Sequence, residues 1–178
     1  MLRSATFWFL VSGFWFHLRM SLYAYRMRQA DVDPRSIVLI RLLVGWVFLA
    51  EGIFKFTRPE ALGVGRFAKI GFVSPGLLAS FVGWVEIICG ALILVGFVTR
   101  LASLPLLTDI LVAIVTTKLP ILIGHGFWGF ADPTTKPFGL GTMLHEARTD
   151  ISMLLGLVFL LIAGAGRWSI DTALIERR

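Results

Sequence analysis

The chain has 178 residues, of which 57% are hydrophobic and only 16% charged, with a formal net charge of +6. That balance leaves too little polar surface for a soluble domain, whose apolar share is roughly 45–50%, and with a mean hydropathy of +0.82 it marks an integral membrane protein. The basic excess is spread over chain ends and short connections, so it reads as topology information and contact with anionic lipid headgroups, and a nucleic-acid footprint is excluded.

The N-terminal segment, residues 1–35, opens with "ATFWFLVSGFWF", too short to cross a bilayer with ease and followed by no small-residue cleavage site. Trp8, Trp15 and Leu22 fall seven apart, as do Ser12, Arg19 and Arg26. An apolar stripe beside a polar one suits a helix lying in the interface, with a fifth crossing helix or an appended extension as alternatives. Four longer apolar segments follow: Ile37 to Phe56, about Gly76 to Val98, Leu101 to about Thr117 with a possible extension to Ile123, and about Asp150 to Gly166. A crossing helix needs about 20 apolar residues, so these four define an all-α, four-helix membrane domain over residues 36–174, ending in a short basic tail, 175–178. The second and third segments are separated by little more than "TR" and must form a tight hairpin. "TRPEALGVGRFAKIGFVSP" suits an interfacial loop with a short helix, and "GHGFWGFADPTTKPFGLGTMLHEART" an irregular surface cap.

With four crossings both termini share a side. That side carries Arg3, Arg19, Arg26, Arg28, Arg35, Arg100, Arg167, Arg177 and Arg178. Arg58, Arg66, Lys69, Lys118, Lys136 and Arg148 fall opposite. The positive-inside rule puts both termini in the cytoplasm, and the expected location is a bacterial inner membrane.

Ionisable groups inside a span face the bundle interior and cost at least a few kcal/mol if unpaired, about 2.5 upward. The first segment holds Arg41, Glu51 and Lys55, the second Glu86, the third Asp109, and Asp150 stands with Glu146 at the entry to the fourth. Glu86 and Asp109 each lie about 14 Å along their helices, near the midplane. Glu51 and Lys55 are spaced to pair on one face. Gly45 and Gly52 share the stripe of Arg41 and Lys55, and Gly83 and Gly90 flank Glu86, so the first two helices are expected to meet along small residues. Arg41, Glu51, Lys55, Glu86, Asp109 and Asp150 are therefore the candidates for a polar pocket. Against this stands a purely structural network that fixes helix register.

Other chemistry has little support. Cys89 lies alone in an apolar run, which excludes an intrachain disulfide and a CxxC pair and leaves a small packing residue. His17, His125 and His145 have no metal-ligand spacing, so neither a metal nor a haem is expected. "GVGRFAKIG" lacks the GK[ST] ending of a phosphate loop, and its Arg66 and Lys69 are expected among lipid phosphates.

The order of motifs resembles the DoxX-like family. "RLLVGWVFLAEGIFKF" resembles its first helix, and "GRFAKIGF" followed by "VGWVEIICGALILVGFVTRLAS" its loop and second helix. "AIVTTKLPIL" is similar to its third helix, and "EARTDISMLLGLVFLLIAGAGRWSIDTAL" to its fourth with a terminal Gly-x-Gly and Ser-x-Asp. The resemblance runs from Ile37 to Leu174, while Asp109 enters on the physical argument alone. It implies a four-helix bundle and a place in quinone-linked redox metabolism, since the family takes its name from small subunits associated with a terminal quinol oxidase and a thiosulfate:quinone oxidoreductase. The expectation is a small membrane subunit without its own redox centre, holding a bound quinone or lipid and assembled with other membrane subunits. An accessory subunit contributing surface only is the alternative, with the aromatic N-terminal segment and "GFWGF" as its grip. A transporter lacks the inverted repeat it would need.

Overall fold

The computed structural model describes residues 35–176, and the N-terminal segment expected to form an interfacial helix lies outside the described residues. All regular structure among the described residues is helical. Helix α1 spans Ile37–Thr57, α2 Val64–Ile70, α3 Pro75–Val95 and α4 Thr99–Ala113. A π-helical turn, Ile114–Lys118, runs on into α5, Leu119–Ile123. Helix α6 is Leu140–Glu146, α7 Arg148–Ala163 and α8 Ile170–Glu176.

Three stretches are long and apolar enough to cross a membrane: Ile37–Thr57, Pro75–Val95 and Thr99–Ile123. The third takes the longer of its two expected limits. Helix α7 has 16 residues, about 24 Å at 1.5 Å per residue, against a hydrocarbon core of about 30 Å. Most of the large exposed side chains, such as Leu39, Trp46, Leu77, Trp84, Leu101 and Leu155, are apolar. In a bilayer that is the expected finish, because lipid tails ask nothing polar of the surface.

Helices α1 and α3 pack most closely, and α4 packs chiefly on α7. Glycine explains the first contact. A Cβ added at Gly52 would lie 2.8 Å from the Gly83 carbonyl oxygen and 2.9 Å from the Ile87 nitrogen, and one at Gly90 2.8 Å from the Leu49 nitrogen. Backbone touches backbone, and no side chain fits between. On the other pair, Leu106 of α4 and Leu157 and Leu160 of α7 are fully buried with Val44 and Ile93. This apolar core fills the half of the described bundle near the α3–α4 turn.

That turn is made by Gly96 at φ 70°, whose N–H closes on Ile93, while Phe97 N–H reaches back to Leu92. Only glycine takes such a φ without strain. The π-helical turn in the third span has an equally local cause. Pro120 has no N–H, and its ring would collide with the carbonyl four residues back, that of Thr116. Thr116 and Thr117 hydroxyls return to the carbonyls of Val112 and Ala113 at 2.8 and 2.6 Å.

Candidate functional site

The other half of the described bundle is hollow. A cavity of about 660 Å³ lies between α1, α3, α4 and α7, with α2 covering one end through Arg66, Phe67 and Ile70. Such a volume is within the roughly 300–1,000 Å³ of small-molecule sites. Its floor is the top of the apolar core, where Phe48, Ile110 and Met153 belong to both. The hollow follows from the pairing: the glycine contact draws α3 against α1 while α4 follows α7, so α3 and α4 part on leaving their turn.

Two polar clusters line this cavity. In the deeper one, Lys55 of α1 donates to Glu86 of α3 at 2.5 Å, with side chains only 10% and 5% exposed. Asp109 of α4 and Glu51 of α1 line the same part of the cavity, Asp109 near enough to Glu86 and Lys55, and Glu51 to Asp109, to act on them electrostatically. The cluster is therefore an ion pair with a further carboxyl group beside it. In the second cluster, by the π-helical turn, Lys118 pairs with Asp150 of α7 at 3.4 Å, and Glu146 lines the same wall.

The sequence candidates thus separate. Glu51, Lys55, Glu86, Asp109 and Asp150 all line one cavity. Arg41 does not, although the sequence placed it among them. It is buried beyond the apolar core, where its guanidinium donates to Ile93 and Leu94 at the end of α3 and to Ala165 and Trp168 after α7. Lys55 lies 14 positions further along α1, about 21 Å at helical rise. A cation on carbonyls left over at a helix C-terminus is a favourable cap, and the role of Arg41 is to tie three segments together. Asp171 completes that knot by accepting from the N–H groups of Val98 and Thr99, the start of α4. Gly96 sits under the Arg41 guanidinium, where a Cβ would be 2.5 Å from Cζ.

The expected Glu51–Lys55 pair also gives way, because Lys55 reaches across to Glu86. Arg66, expected among lipid phosphates, and Lys118, expected only as a charge on the outer side, also line the cavity. Their signal was present: Lys118 stands just before Leu119 and Pro120, where a third span extended to Ile123 carries it into the helical wall. Glycines 45, 52, 83 and 90 lie at the α1–α3 crossing and hold the Lys55–Glu86 geometry from outside the cavity.

A family model described as DoxX matches residues 36–119. "Uncharacterized membrane protein Rv3486" of Mycobacterium tuberculosis is 52% identical over 152 residues, covering 85% of this chain and 88% of that protein. The chain belongs to the DoxX family. Another relative, "Putative oxidoreductase CatD" of Bacillus subtilis, is 30% identical over 82 residues, 46% of this chain and 59% of its own length. No solved structure matches. The segment matched to DoxX carries Glu51, Lys55, Glu86, Asp109 and Lys118, so the whole deep cluster falls inside it, while Glu146 and Asp150 follow it.

Proposed function

We propose that this DoxX protein binds the head of a lipid-soluble quinone in its cavity and serves quinone-linked redox metabolism as a small membrane subunit without a redox centre of its own. The observation that carries this reading is the Lys55–Glu86–Asp109 cluster in a cavity whose side towards α3 is apolar, with Leu78, Val82 and Val85. A quinone ring is flat, apolar and neutral, with carbonyl oxygens that accept hydrogen bonds. Lys55 is a donor facing such a ring, and Glu51 and Asp109 stand ready as acceptors for the hydroxyls of the reduced form. The printed name of the Bacillus subtilis relative, an oxidoreductase, supports the redox assignment.

In this reading α7 is a fourth crossing, with the Arg148 and Ala163 ends adjusting to the headgroup zone, and the Arg41 knot faces the cytoplasm together with both termini. The bacterial source of both relatives supports a bacterial inner membrane as its location. An accessory-subunit reading has one observation of its own: Trp128, in the loop between α5 and α6, is 88% exposed, and aromatic anchors of that kind grip partner proteins.

The test is a titration of the protein in lipid nanodiscs with a tail-less quinone. Saturable binding is expected for the oxidised and reduced forms alike, and Asp109→Asn should weaken the reduced form about tenfold through loss of one charge-assisted hydrogen bond to its hydroxyl. Trp128→Ala should leave it unchanged. Absence of saturable binding to the wild type would end the quinone reading and leave the surface role.

A further inference from the structure

The cavity is open at its side. Phe81 of α3 and Val112 of α4 line it and are at the same time 67% and 44% exposed. Thr108 and Pro105, one and two turns earlier on α4, share that double position. A residue that faces both the cavity and the outside stands at a rim, and here the rims belong to α3 and α4. In a membrane this gap opens onto lipid tails, since both helices are spans. The wall at the second cluster is different in kind, with Arg66, Lys118, Glu146 and Asp150.

We infer that the ligand enters sideways from the bilayer between α3 and α4, and that a single long apolar chain attached to its head lies in this cleft. The inference rests on the quinone reading and narrows it to quinones with a long isoprenoid-type tail. Charge argues for a neutral head on that tail. The cavity wall holds Glu51, Glu86, Asp109, Glu146 and Asp150 against Lys55, Arg66 and Lys118, and two of these three cations are already paired. A phosphate-bearing lipid would carry further negative charge into an acidic chamber of low dielectric, where repulsion is least screened. The cleft wall between the rims, with Leu78, Val82 and Val85, is apolar and matches a hydrocarbon chain.

The experiment compares two ligands in nanodiscs, a quinone with no side chain and one with a chain of several isoprene units. In the wild type the long-chain quinone should bind more tightly. Val112→Trp should weaken the long-chain quinone about tenfold or more while holding the tail-less one within about twofold. Leu155→Trp, on the exposed face of α7 outside the cavity, should change neither. A Val112→Cys, Cys89→Ala protein labelled after purification with a bulky maleimide separates blockage from folding, and the label should have the same selective effect. Equal loss of both quinones, or loss of neither, in the labelled protein would overturn the cleft while leaving the quinone reading intact. Failure of the wild type to bind either would overturn both.

Discussion

Glu86 is placed by a physical necessity: a carboxylate in the middle of an apolar helix must find a partner, and Lys55 is the partner it finds. Removing one member of such a buried pair leaves the other uncompensated. Glu86→Gln, which strands the Lys55 ammonium, is expected to cost about 3–5 kcal/mol, read as a lowered detergent melting midpoint. A Lys55→Met, Glu86→Leu double variant should recover most of it, since well-packed apolar replacements of a buried pair are often neutral or better. If Glu86→Gln melts like the wild type, the ion pair is not what holds these helices. Arg41 makes a different demand. Its planar fork satisfies four carbonyls that a lysine, with one point of charge, cannot reach together. Arg41→Lys should therefore destabilise the fold strongly while leaving the affinity of the surviving folded protein for quinone near that of the wild type. A selective loss of binding would return Arg41 to the pocket.

Helix pairing decides where the cavity is. The close approach of α1 and α3 depends on glycines, and Gly90→Ala would push a methyl to within 2.8 Å of the Leu49 backbone nitrogen. We expect a loss of about 1–3 kcal/mol by overpacking. Gly76→Ala, at a position with nothing within 4 Å, serves as the tolerated control, and comparable melting curves for the two would show that the crossing is not tight. Much at this scale was legible in sequence. The spans and the stripes of small residues follow from periodicity and run length, which report the face and the extent of a helix. Depth was legible too but needed arithmetic: 14 residues separate Arg41 from Lys55, so one cavity at the level of Lys55 cannot take both. What sequence withholds is partnership across the chain. Nothing local announces that Asp171 caps the start of α4 72 positions away, or that Lys55 prefers Glu86 on another helix to Glu51 on its own.

For the described helices taken together, the division into a solid half and a hollow half is the central feature. The Arg41 knot and the apolar core below it fix the ends of α3, α4 and α7, and that rigidity lets the other half remain open without collapsing. The proposed orientation makes the solid half cytoplasmic. A reporter fused after Arg178 should then read as cytoplasmic and one inserted near Thr134 as external, and the reverse pattern would rule that orientation out. The open half is where the family's chemistry is expected, because the deep cluster lies within the segment matched to DoxX. The most direct measurement is organic extraction of the protein, purified from its native membrane in mild detergent, followed by mass spectrometry of the extract. The account predicts a long-chain quinone present in near-equimolar amount with the wild type. A wild-type extract with no more quinone than an unrelated membrane protein from the same cells would contradict it.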